Sequence, residues 1–224
     1  MALHVFPVKS CAGSSLSSSR VSSAGLEFDR QWMVMRGRTV LTQAREPRLA
    51  QIKARLELGR RVMVLSCPGL EDIEVTLEVG GETSGLTGGV CLGKVCGEEV
   101  EGEDCGEAVS DWLEAALGLS DLKLVRSVRR RSARLSLAND SSCLLVSQAS
   151  LAQLAREVRE RCARLGEDPD QFSELSLAAR FRANILVSAD QPFLEETWQH
   201  FTAGGNIKCP LVSFHFFTSM SGKI

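Results

Sequence analysis

Over the first hundred residues the apolar positions recur with the two-residue period of strands. "DIEVTLEV" (residues 72–79) sets Ile73, Val75, Leu77 and Val79 against acidic and hydroxyl partners, the pattern of a half-buried strand. "LHVFPV" (3–8) is an apolar run bounded by a serine-rich loop, and "RRVMVLSC" (60–67) is a β-rich run closed by Pro68 and Gly69. "RQWMVMRG" and "TVLTQ" flank a short Gly37–Arg38 turn, which predicts a β-hairpin. "LAQIKARLEL" (49–58) alternates imperfectly and fits either a strand or a short helix, and the glycine-rich "GGETSGLTGG" (80–89) reads as a mobile loop.

The period then lengthens. "EDCGEAVSDWLEAALG" (103–118) spaces Val109, Trp112, Leu113 and Leu117 along one helical face, with Gly118 where a C-terminal glycine cap belongs. "SLAQLAREVRERCARLG" (150–166) has an S-x-x-Q capping box in Ser150 and Gln153. Its apolar stripe is Leu151, Leu154, Ala155, Val158, Cys162 and Leu165, and Gly166 ends it. "LKLVRS", "CLLVS" and "FRANILVS" read as strands, "VRRRSARLSLANDSS" (128–142) as a solvated basic loop, and "EDPDQFSEL" (167–175) as a polar connection. The pattern predicts an α+β fold: a strand-rich, barrel-like portion over 1–104, a mixed portion over 105–205, and a divergent tail over 206–224. The tail carries Phe214, Phe216 and Phe217 without a continuing period, and is expected to be poorly ordered or packed on a sheet edge.

Composition narrows the class. The 224 residues are 44% hydrophobic and 24% charged with a formal net charge of −2, which argues against a general nucleic-acid binder. No apolar run is long enough to span a bilayer and the first residues lack a signal-peptide pattern, so the expected location is cytoplasmic. The eight cysteines are scattered without a CxxC pair, and Cys91, Cys96 and Cys105 are poorly spaced for zinc. No GxGxxG, GxxxxGK[ST] or HExxH is present. Twenty arginines stand against six lysines, a bias toward the planar fork that suits phosphate and carboxylate.

Four polar clusters lie at or beside strands: Lys9–Ser10–Cys11, Asp29–Arg30, Ser147–Ser150 and Arg180–Asn184. Each has an ordinary structural reading. Lys9 suits a surface turn, Arg30 a local ion pair with Asp29, Ser147 and Ser150 a strand end and helix cap, Arg182 and Asn184 an exposed strand edge. The alternative is that they line an anion site.

In order along the chain, "FPVKSC", "DRQWMV", "QAREPRLAQI", "EDCGEAVSDWL", "LLVSQASL" and "RFRANILV" resemble the MOSC family with its N-terminal β-barrel portion, and more narrowly the C-terminal region of molybdenum cofactor sulfurases. The resemblance implies a ligand, the molybdenum cofactor (molybdopterin with its terminal phosphate). By motif position Lys9, Ser10, Arg30, Ser147, Arg182 and Asn184 are its implied contacts. It also implies a role in exchanging an oxo for a sulfido ligand, with xanthine dehydrogenase and aldehyde oxidase as recipients. The sulfur source would be a pyridoxal-phosphate desulfurase domain that this stretch does not include. The alternative functions are an amidoxime-reductase-like molybdenum oxidoreductase, or a non-catalytic truncated product. No metal ligand is assigned, because "NIKCPLVS" around Cys209 does not match the family's C-x-R-C pattern. The chain alone is expected to retain much of the phosphate cradle but to lack a competent metal site and not to carry out sulfuration.

Overall fold

The computed structural model describes residues 1–22, 25–77, 90–95, 98–130, 143–203 and 207–210. It divides into two compact units: Leu3–Cys143, and Leu144–Ile224 together with Met1–Ala2.

In the first unit the strands are β1 (Ala2–Val5), β2 (Ser14–Leu16), β3 (Val21–Ser22), β4 (Gly25–Leu26), β5 (Trp32–Arg36), β6 (Thr39–Val40), β7 (Lys53–Glu57), β8 (Val62–Ser66), β9 (Ile73–Thr76), β10 (Val90–Val95) and β11 (Glu98–Asp104). Helix α1 (Glu107–Leu117) and strand β12 (Leu122–Arg130) complete it. β10, β11, β12, β5 and β6 follow one another in a barrel, which closes through a single parallel pair, Lys94 with Thr39. β7, β8 and β9 form a separate antiparallel sheet, and β1 pairs with β2. Alternation explains the inward faces: Ala54 and Leu56 of β7, Met63 and Leu65 of β8 and Val75 of β9 are buried in one core cluster with Trp32, Leu49, Ile52, Leu113, Leu117 and Leu124.

The predicted hairpin is present, with Met35 opposite Val40 and Arg36 opposite Thr39. The ambiguous "LAQIKARLEL" takes both readings in turn. A 3₁₀ turn over Pro47–Gln51 leads into β7. Val90–Val95 and Glu98–Asp104, given no individual reading within the strand-rich portion, pair antiparallel; their glutamates and glycines do not favour a strand by themselves. One expectation changes in this unit. Val128–Arg130, read as basic loop, prolongs β12, because Arg129 and Arg130 pair with Glu101 and Val100 of β11. The division into compact units falls after Cys143. α1 buries Val109, Leu113 and Leu117 in the first unit's core, and β12 lies between β11 and β5. The glycine-rich loop 80–89 lies outside the described residues.

The second unit contains β13 (Leu145–Ser147), α2 (Gln148–Leu165), α3 (Glu174–Phe181), β14 (Ile185–Val187), β15 (His200–Ala203) and β16 (Ile207–Pro210). β13 and β14 run parallel, joined through the two helices, whose apolar faces meet around Leu151, Ala155 and Leu177. Gly118 and Gly166 cap α1 and α2 in the left-handed conformation, as their positions predict. The N-cap of α2 is Ser147 and not Ser150: its hydroxyl accepts the Ser150 N–H at 3.1 Å, and Gln153 turns along the helix to Glu157. Of the apolar stripe, Leu151, Ala155 and Cys162 are buried, whereas Leu165 at the frayed end is 60% exposed. α3 is a third helix within what reads as a polar connection and a strand; Ser173 caps it and Arg182 ends it. Of the tail, Ile207–Pro210 pairs antiparallel with His200–Ala203, and residues 211–224 lie outside the described residues.

Loss of the Ser147 hydroxyl strips α2 of its cap, while Ser150 Oγ still accepts the Phe193 N–H. Ser147→Ala is expected to lower stability by about 1 kcal/mol, read as a shift in denaturant midpoint at unchanged slope.

Candidate anion-binding site

The segment Phe6–Cys11 is held from both sides by backbone. Residues 6–9 run beside 30–32: Arg30 N–H donates to Phe6 C=O at 2.8 Å, Trp32 N–H to Pro7 C=O at 3.0 Å, and Lys9 N–H to Trp32 C=O at 2.7 Å. Cys11 N–H closes a tight turn on Val8 C=O at 3.2 Å. Ala12 then exchanges hydrogen bonds with Ile52 and Ala54, and Ser14 Oγ donates to the Ala54 carbonyl at 2.7 Å. The small-residue loop behind Lys9 is therefore a docked connection against β7.

This pairing brings Lys9, Ser10 and Arg30 into one backbone-knit corner. Asp29 organises it. One carboxylate oxygen accepts the Phe6 N–H at 2.8 Å, and the other pairs with the Arg30 guanidinium, which also lies over the Phe6 ring, 5.1 Å from its centroid. The Asp29 side chain is 1% exposed and that of Arg30 11%, so the carboxylate is the inner partner and the cation the outer one. Ser10 (φ 70°) and Arg30 (φ 51°) both hold left-handed backbone that L-residues avoid. Gln43 fixes the turn by donating from Nε2 to the Ser10 carbonyl at 2.7 Å.

Three further residues are absent from the motif-derived set. Gln43 opens "QAREPRLAQI", so its signal lay within a motif already singled out. Phe6 likewise opens "FPVKSC", where it reads as an apolar strand residue. Gly13 is needed for close approach: a Cβ there would lie 2.3 Å from Val5 O and 2.6 Å from the Phe6 ring. Further along the same motif, the Glu46 carboxylate caps the 3₁₀ turn and takes both Arg48 Nε at 2.7 Å and Nη2 at 2.9 Å, which holds its pKa below the ordinary carboxylate value.

The remaining predicted residues lie in the second unit. Ser147 and Asn184 are fully buried. Ser147 Oγ is engaged by Ser150, its N–H donates to Glu195 Oε1 at 2.9 Å, and Asn184 Oδ1 accepts the Leu144 N–H at 3.1 Å. These contacts stitch β13, β14 and the α2 cap together, so Asn184 is a buried latch and not an exposed strand edge. Arg182 is the C-cap of α3 and again left-handed, at φ 55°. Of the seven non-glycine residues with positive φ among those described, three are Ser10, Arg30 and Arg182.

The Cys105 thiol is not a reactive one. Burial, reinforced by the Asp104 carboxylate, pushes the Cys105 thiol up to about 12 against the opposing Arg126 charge, so it stays protonated at neutral pH. Among the described residues no three His, Cys, Asp or Glu side chains gather as a metal site, and no helix is long and apolar enough to cross a membrane.

The motif order and this geometry can be set beside known proteins. Residues 1–120 match the family model of the MOSC N-terminal beta barrel domain. The chain belongs to this family. It is 36% identical over 218 residues to a molybdenum cofactor sulfurase of Danio rerio, covering 90% of the chain and 25% of that protein. It is 34% identical over 220 residues to that of Bos taurus and 33% identical over 218 residues to that of Homo sapiens, in each case over 90% of the chain and 24% of the relative. The chain thus spans about a quarter of the length of the curated relatives it matches.

Two outcomes are expected of this corner. Gly13→Ala, which forces Phe6 aside, should cost about 1–3 kcal/mol, read by chemical denaturation. Because the folded pKa of Glu46 is depressed, its pairing stabilises above the unfolded value and is lost as pH falls through the folded one. Glu46→Gln should therefore flatten the fall of stability between about pH 5 and pH 2, measured as denaturant midpoint against pH.

Proposed function

We propose that this chain is the molybdenum-cofactor-binding module of a MOSC-type sulfurase. The observation that carries the reading is the Lys9–Ser10–Arg30 corner: two cations and a hydroxyl on segments paired through their backbones, with the Arg30 guanidinium on the buried Asp29 carboxylate and Gln43 on the Ser10 carbonyl. That donor set fits a phosphate. Lys9 supplies a point charge, Arg30 a planar fork, and Ser10 an adaptable hydroxyl.

In this reading Lys9, Ser10 and Arg30 of the first unit contact the anionic end of the cofactor; for Arg182, Ser147 and Asn184 of the second unit, the same assignment rests on motif position alone. When bound, the cofactor supplies the metal on which an oxo ligand is exchanged for a sulfido ligand. The sulfur would come from a pyridoxal-phosphate desulfurase domain, and the recipients would be xanthine dehydrogenase and aldehyde oxidase in the cytoplasm. The likeness to sulfurases supports those assignments; the residues described carry only the binding half.

The purified chain should retain molybdopterin, detected as its fluorescent oxidation product. Arg182→Ala should weaken retention about tenfold, whereas Arg129→Ala, in β12, should change it by less than about threefold. Arg182 and its alanine replacement both carry a Cβ, so the left-handed backbone cost is shared. Equal losses for the two would show that binding follows net charge and would sink the reading.

A further inference from the structure

We infer that Asp29 is the positioning residue for the anion-binding cation: it acts on a phosphate through Arg30, with Phe6 as the platform on which the guanidinium lies. The inference rests on the proposed cofactor reading, which assigns a contact to Arg30 and none to Asp29, Phe6 or Gly13.

Electrostatics alone predicts the opposite of a positioning role. A buried carboxylate beside an anion site repels the incoming phosphate, so its removal should tighten binding. Asp29 is nonetheless the group that decides where the guanidinium stands. Its two oxygens have separate tasks: Oδ1 takes the Phe6 N–H at 2.8 Å and anchors the first strand's end, and Oδ2 takes Arg30 Nη1. Arg30 is left-handed at φ 51° and preceded by Phe28 at φ 64°, so the chain turns sharply on both sides of Asp29. The ring of Phe6 then bears the face of the guanidinium. Gly13, whose Cβ would overlap that ring, leaves room for it. A long, rotamer-rich side chain is thereby reduced to one arrangement before any ligand arrives. Ordering it in advance lowers the entropy lost on binding.

The sign of one substitution separates the two effects. Asp29→Asn keeps an oxygen for the Phe6 N–H but presents an amide in place of the carboxylate oxygen that holds Arg30. If Asp29 positions Arg30, Asp29→Asn weakens molybdopterin binding by about tenfold. If it is only a nearby charge, binding tightens. In the Arg30→Ala background the same substitution should change affinity by less than about twofold, because its effect travels through Arg30. Phe6→Leu, which removes the platform and leaves every charge in place, should weaken binding in the Asp29 background by an intermediate factor.

A second readout needs no cofactor. The rotation of the Arg30 guanidinium about its Cζ–Nε bond, followed by nitrogen-15 NMR on the full chain, should be slow in the parent and fast in Asp29→Asn. Unchanged rotation, tighter binding, or an equal Asp29→Asn effect with and without Arg30 would each overturn the inference. Should the parent chain fail to bind molybdopterin while Arg30 still loosens in Asp29→Asn, the cofactor reading falls and the positioning stands. Should the parent bind while Arg30 mobility and affinity ignore Asp29, the reverse holds.

Discussion

The backbone pairing of residues 6–9 with 30–32 is the constraint from which the rest of the first unit's site descends. Trp32 is fully buried, and its carbonyl and N–H are both spent on this short parallel stretch. Through β5 the same residue is tied to β12, where Arg126 stacks over its ring with the guanidinium carbon 4.9 Å from the centroid. A polar loop placed on so rigid a partner inherits its precision. Backbone hydrogen bonds in a dry interior cannot be left unmade at small cost, so Lys9 and Arg30 cannot drift apart without breaking several at once.

That constraint also explains why the N-terminal unit tolerates unfavourable local geometry. Ser10, Phe28 and Arg30 occupy a region of backbone space that costs of order 1–3 kcal/mol per residue. The cost is borne by the packing around them: Cys11 and Val8 are buried in the main core, and Asp29 finds a partner for each carboxylate oxygen. The corner is a strained element on a well-packed scaffold, the arrangement expected where a ligand contact must be ready in advance.

Legibility in the sequence followed the physics of each signal. Long amphipathic stretches were plain, because α1 and α2 carry their apolar stripes and glycine caps in consecutive residues. α3 was hidden because Ser173–Phe181 is short and carries only Leu177 into the core. Glu98–Asp104 was hidden because a strand paired on both sides draws its stability from neighbours and not from its own residue preferences. In the candidate site, motif order pointed to Lys9, Ser10 and Arg30. It could not show that Asn184 turns inward to Leu144, or that Gln43 holds Ser10 and Asp29 holds Phe6, since those contacts join residues 23 to 40 positions apart.

The Ser147–Glu195 contact has a bearing on how the second unit is made. Glu195 Oε1 accepts the N–H of the α2 cap residue from 48 positions downstream, and Phe193 N–H donates to Ser150 Oγ from 43. A nascent chain emerging from its N-terminal end therefore exposes all of α2 before the partners of its first turn exist. Until the segment around residue 195 is synthesised, the Ser147 N–H and the Ser150 hydroxyl have water in place of these two partners. The unit's assembly is thus gated by its late residues, and a chain ended before them would carry the helix but lack the clasp that seats it.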